Sequence, residues 1–296
     1  MLNAFTVDVE DYFQVSAFED SVSRSDWDLY PSRVERNTRA ILALLDAHAV
    51  SGTFFVLGWT ARKFPGLVRE IQQAGHEVGS HGFWHRLIYG QSPDEFRQDL
   101  KESRAVLEDV LGEPVRCYRA PSFSITKDCL WAFDVLAEEG FTHDGSVFPV
   151  RHDRYGIPDA PRFVHARQAS VGVLQEFPAS VLATPLGNLP VGGGGYFRLY
   201  PWRFTRWALS RINQSGRPFV FYVHPWEIDP DQPRLTVRSR LSRMRHYVNL
   251  RSTKGKLDRL LSAFQFGSFT AVAGEVSSNV PRRSLRSVPR SRSVTR

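Results

Sequence analysis

The sequence predicts an α/β protein on a mainly parallel sheet, in the form of a deformed (β/α) barrel. Short apolar runs alternate with amphipathic helical stretches from the first residues to about residue 227. Helical stretches stop at glycines, Gly75, Gly112 and Gly140, and a new run follows each. Polar residues gather where the runs end: Asp8 and Glu10, His81, Arg119, Asp144 and His224. In parallel α/β architectures that edge carries the active site.

The elements follow in order. NAFTVDV (3–9) is a strand ending in acids. Residues 32–50 carry a helical stripe at 34, 41, 42, 44 and 45, with Ser32 as N-cap and Glu35 completing a capping box. GTFFVLG (52–58) reads as a buried strand, 61–75 as a helix and HEVGSH (76–81) as a strand. Residues 92–112 form a long amphipathic helix capped by Ser92. VRCYRAP (115–121) is a strand, 126–140 a helix and FTHDGSVF (141–148) a strand. QEFPAS (175–180) follows, then VGGGGYFRLY (191–200), a helix around 201–213 and RPFVFYVHPWE (217–227), which ends as a strand. The glycines of 192–195 lack Walker spacing and its lysine, so they read as a flap beside a groove, with Tyr196 and Arg198 placed to touch a substrate. No repeat and no linker interrupts the pattern. One domain is therefore expected over 1–275, with an extension from about residue 200 and a disordered Arg/Ser-rich tail over 276–296.

The formal charge is +7. Six arginines lie in the tail (Arg282, Arg283, Arg286, Arg290, Arg292 and Arg296), leaving the body near neutral. That excludes a basic nucleic-acid binder. The tail reads as solvated; weak contact with anionic lipid or polymer is the alternative. Cys117 and Cys129 alone make neither a disulfide framework nor a CxxC zinc site. The N-terminus MLNAFTVDVEDYF has no basic n-region and no apolar h-region, so a cytoplasmic protein is expected, acting at the inner membrane face. No window approaches the roughly 18 apolar residues of a membrane span.

Thr6, Asp8 and Glu10 share a face if the first strand continues; Asp11 joins them if the chain turns. Clustered carboxylates need a cation or a shared proton. His81 and His85 in SHGFWH share one face of a helical turn, the arrangement a transition metal takes from imidazoles. A carboxylate from another strand end completes a 2-His-1-carboxylate set. Arg119 in YRAPSFS can orient a carboxylate, and Pro121 can turn the next N–H groups into a cleft. His224 suits a general acid, with Asp144 a candidate to hold it.

Taken together, NAFTVDVEDYFQVSAFE, SGTFFVLGW, GHEVGSHGFWHRLIYG, YRAPSFSIT, DRYGIPDAPRF, LPVGGGGYFRLYP and FYVHPWEIDP resemble the polysaccharide deacetylases with the NodB-homology domain, carbohydrate esterase family 4. The match is closest to the branch found with exosortase and exopolysaccharide loci, and spans roughly residues 3–250. The resemblance implies a deformed (β/α) barrel, a divalent metal, usually Zn2+, and removal of N-acetyl groups from amino sugars of a polysaccharide or lipid-linked glycan. It carries Asp8 to the general base, His81 and His85 to metal ligands, Arg119 to the residue orienting the base, the Ser122 N–H to an oxyanion donor, Asp144 to the tether of the catalytic histidine and His224 to the general acid. Val9 stands where the family has its second acid, so the third ligand is Glu10 or Asp11, Glu10 being favoured for sharing a face with Asp8. Trp84, Trp226 and Tyr196 are candidates for stacking on sugar rings. Two rivals remain: an allantoinase-like hydrolase of a small cyclic amide, and a non-catalytic glycan-binding relative.

Overall fold

A computed structural model describes residues 1–152, 154–237 and 239–278. The tail read from residue 276 lies outside the described residues from 279 onward; residues 276–278 end the last helix. The first half alternates β1 (Leu2–Val9), α1 (Val34–Ala47), β2 (Thr53–Val56), α2 (Gly58–Lys63), α3 (Pro65–Gln73), β3 (Glu77–Ser80), α4 (Pro93–Leu111), β4 (Cys117–Tyr118), α5 (Ala132–Glu138) and β5 (His143–Asp144). There follow β6 (His165–Gln168), β7 (Val173–Glu176), β8 (Val181–Thr184), β9 (Gly187–Pro190), α6 (Gly194–Leu199), α7 (Trp202–Gln214), β10 (Val220–Val223), α8 (Arg240–Tyr247), α9 (Leu250–Ala263), β11 (Gln265–Gly267) and α10 (Phe269–Ser278).

The main sheet runs β10-β1-β2-β3-β4-β5-β7-β6. It is parallel from β10 to β7, and β6 returns antiparallel. The sheet curls into a half-barrel without closing, since β10 and β6 are the two ends of its path. The register puts the strand ends level: Val9 pairs Val56, Val56 pairs Ser80, Ser80 pairs Tyr118 and Tyr118 pairs Asp144. The polar residues picked from sequence therefore share one rim. From Asn3 to Val9, β1 is buried throughout, as expected of a central strand covered on both faces. Each large apolar side chain so buried contributes about 1.5–3 kcal/mol.

Several expectations change. The 61–75 helix breaks at Phe64, because Pro65 keeps the preceding residue out of helical geometry. Ser32 does not cap α1, which has no side-chain cap of its own. Asp11 serves instead: its Oδ2 accepts from Ser32 Oγ at 2.6 Å and from the N–H groups of Arg33 and Val34 at 2.8 and 3.1 Å. A carboxylate there satisfies orphan helix donors and complements the dipole.

The glycine stretch is no flap. Gly193 bridges to Tyr222 beside β10, with φ +135° and only 2.0 Å between a would-be Cβ and the Tyr222 carbonyl oxygen. Glycine is needed so that two backbones can touch. Cys117 and Cys129 are free and buried. Among the described residues no helix is long and apolar enough to cross a membrane.

Candidate metal and acid–base site

Asp8 sits at the end of β1 and Glu10 two residues on, both buried and on the face set by Thr6. Arg119, just past β4, is fully buried and reaches across the rim. Its guanidinium donates to Asp8 Oδ1 and Thr6 Oγ1, both at 2.7 Å, and to the Gly145 carbonyl at 3.1 Å. Asp8 Oδ2 is left facing His224 Nε2, 3.8 Å away.

His81 and His85 do come together, with ring centroids 5.3 Å apart, but not on a helical turn. They sit on a loop with positive φ at Gly82 (75°) and His85 (53°). Asp99 of α4 pins that loop by accepting from the Phe83 and Trp84 N–H groups at 2.8 and 3.4 Å. A Cβ at Gly82 would meet the Asp99 carboxylate at 2.8 Å. His81 Nδ1 bonds the Arg119 carbonyl at 2.8 Å, which fixes its tautomer and leaves Nε2 as the ligand atom. Burial holds its pKa down at about 4, so it is a neutral ligand.

Glu10, His81 and His85 form a buried set whose ligand atoms lie within 4.8 Å of one another. Glu10 Oε2 is 2.7 Å from His85 Nε2, yet it accepts no properly aligned hydrogen bond. An orphaned buried carboxylate oxygen between two imidazoles is what a divalent cation relieves. Burial works to raise the Glu10 pKa, but His85 and His224 outweigh it and hold it at about 2, leaving the carboxylate ionised. The donor set thus fits a metal. Asp11 is not part of it: its Oδ2 is taken at the start of α1 and its Oδ1 accepts from the Tyr12 N–H at 3.1 Å.

The His224 tether also differs from expectation. Nδ1 of His224 bonds Glu227 Oε1 at 2.7 Å, and Arg198 Nε grips Glu227 Oε2 at 2.6 Å. Burial opposes charge on His224, but Glu10, Glu227 and Asp8 lift its pKa to about 9. Asp144 instead takes the Ser146 hydroxyl and N–H, at 2.6 and 3.0 Å, and lies against Glu176. Burial pushes the pKa of both acids up, Glu176 well above the usual carboxylate range, with the neighbouring Asp144 charge adding to its rise. With Nδ1 of His224 already held by Glu227 and both Asp144 oxygens engaged by Ser146, the tether expected at Asp144 falls to Glu227.

Arg198 is buried, its Nη1 donating to the His246 and Val248 carbonyls, so it serves as a support for Glu227 rather than as a groove residue. Nor is Trp226 a sugar platform. It is buried, stacks between His224 and His246, and donates its indole N–H to Glu10 Oε1 at 3.0 Å. Trp84 is half-buried against Phe83 and Trp27. Tyr196 joins an aromatic group with Phe148, Tyr155 and Tyr222, and Tyr222 leads to His224.

Ser122 follows Pro121 with φ 54°, and Phe123 repeats it with φ 52°. Two left-handed non-glycine residues in a row store strain of order 1–3 kcal/mol each. Ser16 holds the bend through a hydroxyl contact to Ser122 at 2.8 Å. The Ser122 N–H donates to no backbone carbonyl among the described residues.

Residues 18–139 match the polysaccharide deacetylase family. The chain carries a polysaccharide deacetylase domain. Residues 145–274 match a second family, described as a domain of unknown function (DUF3473). The polysaccharide deacetylase match therefore contains His81, His85, Arg119 and Ser122, and the second contains Arg198, His224, Trp226 and Glu227. Similar proteins include a peptidoglycan-N-acetylglucosamine deacetylase of Bacillus cereus, 34% identical over 96 residues, or 32% of this chain and 35% of that one. A chitooligosaccharide deacetylase of Azorhizobium caulinodans is 32% identical over 85 residues, 28% of this chain and 40% of that one. The chain thus spans well under half the length of either relative. The fold is that of solved structures of a protein assigned as a polysaccharide deacetylase from Mycobacterium smegmatis (TM-score 0.62, 20% identity, covering 100% of this chain and 93% of that one) and a family 4 carbohydrate esterase from Streptomyces lividans (0.50, 15%, 90% and 91%).

Proposed function

We propose that this deacetylase domain removes N-acetyl groups from amino sugars of a polysaccharide with the help of a divalent metal, zinc being the simplest fit. The observation that carries the reading is the convergence of the Glu10, His81 and His85 set with the Asp8–Arg119 pair and His224, whose Nε2 lies 3.8 Å from Asp8 and 3.7 Å from Glu10. Held by Glu10, His81 and His85, a divalent cation would polarise the acetyl carbonyl and acidify a water.

The remaining work belongs to side chains. Asp8, fixed through Oδ1 by Arg119, takes the water's proton on Oδ2 as oxygen bonds to the amide carbon. The Ser122 N–H is the proposed donor to the developing oxyanion. His224 gives the proton on Nε2 to the leaving nitrogen as the C–N bond breaks, while Glu227 holds Nδ1. Acetate and a free amine result. His224 has 19% of its side chain exposed against 4% or less for Asp8, Glu10, His85 and Arg119, so substrate is expected to enter past it. Tyr196 is proposed to line that approach. The resemblance of LPVGGGGYFRLYP and FYVHPWEIDP to the exosortase-associated branch supports an exopolysaccharide as the polymer.

The test is acetate release from N-acetylglucosamine oligomers, with and without chelator, beside Asp8→Asn. Chelator-sensitive release that falls at least a hundredfold in Asp8→Asn is expected. Metal bound stoichiometrically with no acetate from any N-acetylated glycan would point to the cyclic-amide rival. Neither metal nor acetate would point to the non-catalytic one.

A further inference from the structure

We propose that α8 and its flanks form a docking face for an anionic lipid bilayer, next to the candidate site. The near-neutral charge of the body conceals a basic block. From Gln232 to Leu257 the chain has eight lysines and arginines and no acid. Within α8, Arg240, Arg243 and Arg245 are exposed, and none has an ion-pair partner among the described residues. Between them stand Leu241 and Met244, one helical turn apart and 51% and 58% exposed. His246 is the helix's buried residue. Arg234 extends the block from its place over the Tyr247 ring, and exposed Arg251 lies beyond. Lys256 is excluded, because it is tied to the Phe197, Arg198 and Tyr200 carbonyls.

Arginines alone would suit any polyanion. The apolar pair among them selects a bilayer, where guanidiniums meet phosphates and Leu241 and Met244 enter the acyl boundary. A second copy of this chain would set like charge against like. The face is coupled to the site: His246 stacks on Trp226 at 4.1 Å, and Trp226 bonds Glu10. A bilayer on α8 would therefore bring membrane-held glycan close to His224.

The test is sedimentation of the full chain with vesicles of phosphatidylglycerol and phosphatidylcholine, a readout that needs no turnover and so stands or falls apart from the deacetylase reading. Each arginine near an anionic surface strengthens binding about fivefold, so Arg240→Gln/Arg243→Gln/Arg245→Gln should weaken it about a hundredfold. Leu241→Ser/Met244→Ser should weaken it about tenfold while leaving binding to soluble polyphosphate unchanged. Both variants change exposed positions and should keep the parent's melting temperature. Parental binding by the triple variant would overturn the proposal, since the tail arginines are present in both proteins and would then carry the attraction. Loss in the triple variant with none in the apolar variant would overturn it in favour of a soluble polyanion.

Discussion

The two halves of the site are built by different means. In the first 145 residues the functional groups sit at or near strand ends, and backbone groups help to tie down His81, Arg119 and the histidine loop: His81 by the Arg119 carbonyl, Arg119 by the Gly145 carbonyl, the His81–His85 loop through its own N–H groups on Asp99. In residues 190–250 His224 is the acid–base group and Trp226 bonds Glu10, and further side chains support them: Glu227, then Arg198 from α6, with His246 from α8 stacked on Trp226. The first half is a scaffold with ligands attached. The second is a relay in which each member is placed by the next. A scaffold tolerates change one or two contacts from the chemistry; a relay transmits it.

The largest expected effect lies where the halves meet. Asp8→Asn removes the proposed base and leaves Arg119 buried without its counter-charge, so acetate release should fall about 10²–10⁴-fold and stability by about 3–5 kcal/mol, read by thermal unfolding. Next comes the relay. Glu227→Gln keeps the shape but strips the charge that serves both His224 and Arg198, and activity should drop about 10–100-fold. Asp144→Asn is the matched comparison. It leaves the His224 tether untouched, so stability should fall by about 1–3 kcal/mol and activity by much less than in Glu227→Gln. If Asp144→Asn were the more damaging to turnover, the relay would be wrongly drawn. Smaller again is Trp226→Phe, which removes one hydrogen bond to Glu10; zinc affinity should weaken about tenfold with the fold intact, measured by competition with a chromogenic chelator.

This contrast also explains what could be read from sequence. Asp8, Glu10, His81, Arg119 and His224 were legible because the strand–helix alternation says where strands end, and parallel strands align their ends. The roles of Asp11 and Ser32 are not legible locally, because a helix cap is ordinarily the adjacent residue, whereas here the chain folds a carboxylate back from 21 positions away. Trp226 and Arg198 looked like groove residues because burial cannot be told from a local stretch of aromatic and basic letters. Glu227 was visible three residues beyond His224, but the family resemblance drew the tether to Asp144. Asp99 gave no signal, since an acid on an amphipathic helix ordinarily faces water. The basic block at α8 was masked by averaging charge over the whole body.

The most direct test of the account is metal stoichiometry in the parent, Glu10→Gln and Asp11→Asn, by elemental analysis after gel filtration. The account predicts one equivalent in the parent and in Asp11→Asn, the latter less stable through its weakened α1 cap, and little or none in Glu10→Gln. Metal kept by Glu10→Gln and lost by Asp11→Asn would contradict it.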